Sequence, residues 1–112
     1  TQGVSSAASD VYKRQEVDSG VGGATAAAVG DRLARVAERL QVLVVTHSPQ
    51  VAARGAAHLN VVKQVKASSA ETRVERLDGT ARREELARML AGERITDAAR
   101  MAADSLLMGH LV

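Results

Sequence analysis

The chain has 112 residues, a formal net charge of +2 and no cysteine. This length fits one small domain or a piece of a larger one, and the lack of thiols excludes disulfides and cysteine-ligated metal sites. No apolar stretch approaches the ~20 residues of a membrane-spanning helix, and no secretion signal is recognisable, so we expect a cytoplasmic protein. The charge is not gathered in basic runs, so composition alone does not favour a nucleic-acid-binding protein.

The first fifteen residues, TQGVSSAASDVYKRQ, differ from the remainder of the chain. They are polar and serine-rich, without a clear period, and they contain the only tyrosine, Tyr12. The segment resembles translated sequencing-adaptor sequence, so we expect residues 1–15 to be a non-native, disordered tail. The alternative is an ordinary disordered N-terminal tail. The domain proper is then expected to span residues 16–112.

The predicted elements of the first half alternate between loop, helix and strand. Residues 16–23 are predicted to form a glycine-rich loop. A helix is predicted over 24–40, with Val29, Leu33, Val36 and Leu40 at helical spacing. The β-branched run VLVVT at 42–46 predicts a strand buried in a parallel sheet, and we expect no strand beside it from residues 1–15.

The second half is predicted to contain a short helix, a hairpin and two longer helices. Ser48 and Pro49 suit the start of a short helix that Gly55 ends. Strands are predicted over 58–66 and 72–77, forming a hairpin at a sheet edge. Helices are predicted over 80–91 and from Thr96, as their cap, to about 108.

The glycine-rich loop carries the first candidate site residues. Glu16 would stand at the carboxyl end of a strand, if a strand preceded it, where α/β folds place catalytic groups. It could deprotonate a water for attack on phosphorus, or be a solvated loop acid. Asp18 and Ser19 could cap the next helix or reach across an interface, and Gly20 permits close backbone approach. No G-x-x-x-x-G-K-[ST] phosphate loop occurs in the chain.

His47 is the second candidate, because it directly follows the predicted buried strand. Its imidazole could hydrogen-bond a γ-phosphate or an attacking water, or simply cap the following turn. His58 and His110 have no partner at metal-ligand spacing and are interpreted as structural or solvated, so no metal site is predicted. Arg82, Arg83 and Arg88 with Glu84 and Glu85 are interpreted as a solvated helix face.

Several separated motifs together resemble a known family. The segments E-V-D-S-G-V-G-G, V-L-V-V-T-H-S-P-Q-V-A-A and E-E-L-A-R-M-L-A-G occur in that order. They resemble the C-terminal part of an ABC-type ATPase head, and in particular the RecN family of SMC-like bacterial DNA repair ATPases. The resemblance covers residue 16 to about 107. It implies an α/β fold, the C-terminal part of a P-loop NTPase head, with an edge hairpin and C-terminal helices.

The resemblance also implies roles for the candidate residues. Glu16 corresponds to the catalytic glutamate after the Walker B strand, and His47 to the switch histidine that senses the γ-phosphate. Residues 17–20, with Asp18, Ser19 and Gly20, correspond to the D-loop at the interface between two heads. The implied ligands of the full-length protein are ATP and Mg²⁺. Its implied partners are a second head in a homodimer and DNA, with action at double-strand breaks in the bacterial nucleoid and no membrane.

The chain departs from the family pattern in ways that limit this interpretation. Gln15 stands where family members have the aspartate that helps to hold Mg²⁺, and the Walker A loop and signature motif are missing. We therefore expect a fragment that is catalytically silent alone. The alternatives are a non-catalytic interaction module or a segment of another SMC-like head. Direct DNA binding by this segment is not favoured, because its arginines alternate with acids along the sequence.

Overall fold

The computed structural model describes residues 4–5, 10–15 and 22–109. These residues form five strands and four helices in mixed α/β order. The elements are β1 (Val4–Ser5), β2 (Asp10–Gln15), α1 (Gly23–Ala37), β3 (Gln41–Val45), α2 (Pro49–Ala52), β4 (His58–Lys66), β5 (Ser69–Leu77), α3 (Gly79–Ala91) and α4 (Asp97–Leu107). The architecture is compatible with the predicted α/β class. None of the described helices has the length and apolar character needed to cross a membrane.

The predicted element types are confirmed from residue 22 onwards, with small shifts in their ends. The helix predicted over 24–40 ends at Ala37, and the strand predicted over 42–46 is β3. The second strand of the hairpin begins at Ser69 rather than 72, because a tighter turn joins it to β4. The hairpin forms a two-stranded antiparallel sheet of its own within the described residues, rather than an edge of the other sheet.

The first sheet contains two strands that were not predicted, β1 and β2. The strand order in this sheet is β1-β2-β3. Strand β1 is antiparallel to β2, and β2 is parallel to β3. The expectation that β3 has no neighbour from residues 1–15 is therefore wrong, since β2 pairs with it along its whole length from Gln41 to Val45. The β-branched Val11 and the aromatic Tyr12 have high strand propensity, but most of the residues around them are polar. A strand in this segment was therefore not predicted from the sequence.

Strand β3 is less buried than its sequence predicts. Leu43 is 45% exposed and Val45 is 46% exposed, and the two lie on the same face of the strand. Burial alternates along β3 because only one of its faces is covered within the described part of the chain. A run of apolar residues predicts a strand that is packed against other elements on both faces. Within the described residues, the face of β3 that carries Leu43 and Val45 is only partly covered.

The hydrophobic core lies between α2, α3 and α4. Its fully buried residues are small apart from one leucine, as expected for a chain rich in alanine. The core residues are Ala53, Leu86, Ala87, Ala99 and Ala103, with Met89, Ile95, Leu106 and Leu107 packed against them. Side-chain caps fix the starts of α3 and α4: the Ala81 N–H donates to Asp78 Oδ1 at 3.1 Å, and the Ala99 N–H donates to Thr96 Oγ1 at 3.0 Å. The predicted Thr96 cap is therefore confirmed.

Helix α1 packs on α2 through small residues rather than through the predicted leucine and valine stripe. Gly30 and Ala26 are the buried residues of α1, whereas Val36 is 40% exposed. A Cβ at Gly30 would lie 3.0 Å from Arg54 Cγ, 3.2 Å from the Gln50 carbonyl oxygen and 3.3 Å from Val51 Cα. Glycine is therefore needed at position 30 for close approach of two backbones, not for flexibility.

Replacing Gly30 with alanine is expected to destabilise the fold despite the better helix propensity of alanine. The propensity gain is at most about 1 kcal/mol, whereas overpacking against a backbone costs about 1–3 kcal/mol. We expect a net loss of about 1 kcal/mol in urea unfolding. Gly79→Ala is the control, since nothing lies within 4 Å of a Cβ there. Equal effects of the two substitutions would contradict the packing role of Gly30.

Candidate functional site

The predicted site lies at the carboxyl edge of the first sheet. Strands β2 and β3 are parallel and end in register, with Gln15 paired to Val45. The chain after Val45 continues through Thr46 and His47 into α2. The other predicted site residues, Glu16, Asp18, Ser19 and Gly20, lie outside the described residues.

His47 is exposed in the short connection between β3 and α2. Backbone and side-chain hydrogen bonds define this connection on both sides of the histidine. The Ser48 N–H donates to Thr46 Oγ1 at 2.9 Å, and the Val51 N–H donates to Ser48 Oγ at 3.4 Å. Ser48 is the N-cap of α2 and Pro49 is its first residue, as predicted. Position 47 is thus held between a strand end and a capped helix start.

The side chain of Ser48 is itself anchored. Ser48 is only 8% exposed, and its hydroxyl donates to Gln50 Oε1 at 3.0 Å. Gln50 also faces the start of α1, since its Nε2 would lie 3.5 Å from a Cβ at Gly23. The first turns of α1 and α2 therefore meet beside the histidine.

Arg82 of α3 closes the other end of α2. Its Nη2 donates to the carbonyl oxygens of Ala52 at 3.1 Å, Ala53 at 3.2 Å and Gly55 at 2.6 Å. These carbonyls lie at the C-terminal end of α2 and in the turn after it, and the Ala52 carbonyl also accepts a hydrogen bond from the Gly55 N–H. Burial lowers the pKa of the Arg82 guanidinium below its ordinary value. A four-residue helix is marginal by itself, so Arg82 contributes to holding α2 where it places His47.

Sequence reasoning missed this role of Arg82. The interpretation of Arg82 and its neighbours as a solvated helix face is wrong for most of them, since Arg82 through Glu85 are all half-buried. Arg83 Nε lies 2.7 Å from Asp104 Oδ1, and Arg100 Nε lies 2.8 Å from Glu84 Oε2, so these pairs join α3 to α4. Contacts between residues this distant in sequence leave no periodic signal along the chain.

A second ion pair joins α1 to the end of α2. Arg54 Nε lies 2.7 Å from Asp31 Oδ1, although it makes no aligned hydrogen bond there. The Arg54 side chain is 17% exposed. Together with the Gly30 contact, this pair fixes α1 against the segment that follows His47.

His58 occupies the start of β4, beside Arg82. Burial lowers the pKa of its imidazole, the charge of Arg82 lowers it further, and the charge of Glu85 partly opposes this. Its Nδ1 is buried and has no hydrogen-bond partner within the described residues. His58 is therefore a neutral packing residue, which agrees with its structural interpretation.

The stability of the fold is expected to fall as the pH is lowered through 6.5, the ordinary pKa of histidine. Because the folded pKa of His58 lies below that value, the unfolded chain binds more protons in this window, and protonation favours unfolding. The free energy of unfolding measured in urea against pH tests this. His58→Gln should flatten the slope below 6.5. The lowered pKa of Glu84 acts in a separate, more acidic window, below its ordinary 4.5.

The residues that the structure describes do not fit a complete magnesium site. They contain no group of three or more histidine, aspartate or glutamate side chains able to hold a metal ion. The last residue of β2 is a glutamine in the sequence, whereas carboxylates are the residues that commonly bind Mg²⁺. What the described residues do show is an exposed histidine, His47, that follows β3 at the carboxyl edge of the first sheet.

Three of the known proteins to which the chain is similar share one name. No protein-family model matches the chain. It is 48% identical over 93 residues to the DNA repair protein RecN of Vibrio cholerae, covering 83% of this chain and 17% of that protein. The RecN of Deinococcus radiodurans is 49% identical over 94 residues, covering 84% of this chain and 16% of that protein. The RecN of Rickettsia prowazekii is 41% identical over 92 residues, covering 82% and 17% respectively.

The chain thus spans about a sixth of the length of the curated relatives it matches. Similarity at this level over most of a chain indicates common descent rather than shared composition. The predicted resemblance to RecN is confirmed: over more than four-fifths of its length, the chain is homologous to a segment of the DNA repair protein RecN.

Proposed function

We propose that this chain is the C-terminal part of the ATPase head of a RecN-like DNA repair protein. In the full-length protein, ATP would be bound and hydrolysed between two heads during recombinational repair of double-strand breaks. The observation that carries the proposal is the 48% identity over 93 residues to a protein named for DNA repair. The mixed α/β order of the described residues is compatible with it.

Within the proposed head, Glu16 is the general base and His47 the phosphate sensor. Glu16 would orient the attacking water and accept its proton, while the His47 imidazole would hydrogen-bond the γ-phosphate. The register of the first sheet supports this pairing. Gln15 and Val45 are partners at the strand ends, and Glu16 and His47 follow them by one and two residues.

Asp18, Ser19 and Gly20 are proposed to contact the second head of a homodimer. They follow the proposed base by two to four residues, and a short polar loop at this point suits an interface that must form and release with each ATP. Glycine at position 20 would let the opposing backbone approach closely. The support for this role is the motif together with the RecN relatives.

The chain supplies only part of the proposed catalytic machinery. A phosphate loop does not occur in its sequence, and Mg²⁺ would need a carboxylate that Gln15 cannot provide. The proposed roles of Glu16 and His47 are proton transfer and orientation of the phosphate. We therefore propose that the chain is inactive alone and completes a site whose other residues lie elsewhere in the full-length protein.

Sequencing the genomic locus upstream of the codon for Glu16 tests the proposal. The expected result is an open frame encoding an apolar strand that ends in aspartate and, farther upstream, a phosphate loop. The encoded protein should then hydrolyse ATP. A start codon directly ahead of residue 1 would contradict the proposal, and the chain would have to act by binding alone.

A further inference from the structure

The exposed arginines of α1 form a positive surface that the proposed site does not use. Arg32 and Arg35 lie on the helix, and Arg39 lies in the turn that continues it through hydrogen bonds from the Arg39 and Leu40 N–H groups to the Val36 carbonyl. All three arginines are exposed. At 3.6 residues per turn they fall within about 60° of arc, opposite Ala26 and Gly30. The face that packs on α2 and the arginine face therefore point in opposite directions.

These three arginines lie close together on α1 and the turn after it, and within the described residues none of them has an ion-pair partner. Most other described arginines have partners: Arg54 pairs with Asp31, and ion pairs also engage Arg73, Arg83, Arg88 and Arg100. None of the ion pairs found in the described residues involves Arg32, Arg35 or Arg39. The acidic side chains in these ion pairs therefore bind arginines outside α1, and they do not neutralise Arg32, Arg35 or Arg39.

The surface retains net positive charge after its own acids are counted. Asp31 forms an ion pair with Arg54. Glu38 is the remaining acidic residue among the three arginines in the sequence, so three positive charges and one negative charge leave a local charge of +2. Arg32 and Arg39 are about 10 Å apart along the axis. Each strand of duplex DNA carries one phosphate for about every 3.4 Å of helix axis, so an axial length of about 10 Å contains about three phosphates of one strand, as many as there are arginines.

We propose that Arg32, Arg35 and Arg39 form a contact surface for the phosphate backbone of duplex DNA. The choice of DNA over another polyanion rests on the proposed repair function. Arginine suits this role because its planar guanidinium binds phosphate oxygens in pairs. The contact would be independent of base sequence, since base edges are read in the grooves and phosphates are not.

The test is binding of a fluorescein-labelled duplex of mixed sequence to the full chain, followed by fluorescence anisotropy over a series of NaCl concentrations. The triple variant Arg32→Ser, Arg35→Ser, Arg39→Ser should lower the slope of log K against log salt by about 2–3. Its Kd at about 0.1 M salt should rise at least about tenfold. An unchanged slope would overturn the proposal, as would a wild-type chain that does not bind the duplex.

A charge-matched variant separates a local contact from net charge. Arg73→Ser, Arg76→Ser, Arg94→Ser removes the same charge from exposed positions on β5 and beyond α3. We expect it to change the slope by less than about 1. Equal losses in both triple variants would show non-specific attraction and overturn the proposal. Competition by poly-glutamate as effective as competition by unlabelled duplex would reassign the surface to an acidic protein partner.

A second variant covers the structural role of these side chains. Arg35 and Arg39 lie at and just beyond the C-terminal end of α1, where positive charge interacts favourably with the helix dipole. Their replacement by serine is therefore expected to lower the stability of the fold. If circular dichroism shows that the serine variant is unfolded, the lysine triple variant keeps the charge and should keep the slope, while Arg32→Glu alone should lower it. No nucleotide is needed in these assays, so a failure of the ATPase proposal leaves their outcome unaffected.

Discussion

Replacement of Glu16 by glutamine in the full-length protein is expected to leave ATP binding intact and to slow hydrolysis by about 10²–10⁴-fold. Glutamine keeps the shape and hydrogen-bonding oxygen of the side chain but cannot accept a proton at neutral pH. Removal of a general base should therefore lower kcat with little change in the Kd for ATP. Steady-state phosphate release together with equilibrium binding of a fluorescent ATP analogue measures the two quantities separately.

Two further substitutions make this result specific. Glu93→Gln is the matched control, because Glu93 is an exposed glutamate in the turn after α3, remote in sequence from the sheet edge. It should leave kcat within about twofold, as surface substitutions usually do. His47→Ala should also lower kcat, because a phosphate contact would be lost. A Glu16→Gln protein with normal turnover would exclude Glu16 as the base and require another residue in that role.

Local sequence signals predicted much of the fold. Capping residues and proline fixed the starts of α2 and α4 in the prediction, since Ser48, Pro49 and Thr96 act through neighbours within three residues. The hairpin was readable for the same reason, as its strands pair across a short turn. Candidate site residues came from their positions beside predicted strands and from motif resemblance, and of these the structure describes only His47, directly after β3.

Long-range contacts account for what the sequence did not predict. A glycine inside a helix suggests only a local loss of helix propensity, whereas the role of Gly30 depends on a backbone twenty residues later, at Gln50. Arg82 looked solvated, yet its partners are carbonyls of another helix. The exposure of β3 likewise depends on which elements cover it, and a strand's own residues do not specify that.

The β4–β5 hairpin has an exposed apolar face, which its own sequence did not predict. Leu59, Val61, Val65 and Val74 are 49–79% exposed, and Val61 lies directly opposite Val74 on one face. Such an apolar face is normally covered by another layer, because a two-stranded ribbon is marginal in water. The two-residue period of a strand determines which residues of β4 share a face but not whether anything packs there. A chain that spans about a sixth of its relatives is consistent with uncovered faces of this kind.

Arg82 connects the core of the molecule to the proposed site, and its replacement by alanine is expected to be the most destabilising change among the surface arginines. Three carbonyl oxygens at the end of α2 would lose a charged donor. Hydrogen bonds to charged groups are worth about 1.5–3 kcal/mol, so we expect a loss of about 2–3 kcal/mol in the free energy of unfolding. Urea unfolding followed by circular dichroism measures it.

Arg83→Ala provides the matched control, since Arg83 is the next residue of α3 and makes a partly exposed ion pair with Asp104. Such pairs contribute about 0–1 kcal/mol, so the control should stay in that range. Hydrogen exchange then locates the effect of Arg82→Ala: the Ala53 and Gly55 amides, bonded to Pro49 and Ala52, should lose protection before the amides of α4 do. Because α2 begins two residues after His47, loosening it would also release the proposed phosphate sensor. A uniform loss of protection across α2 and α4 would instead make Arg82 a general core residue with no particular link to the site.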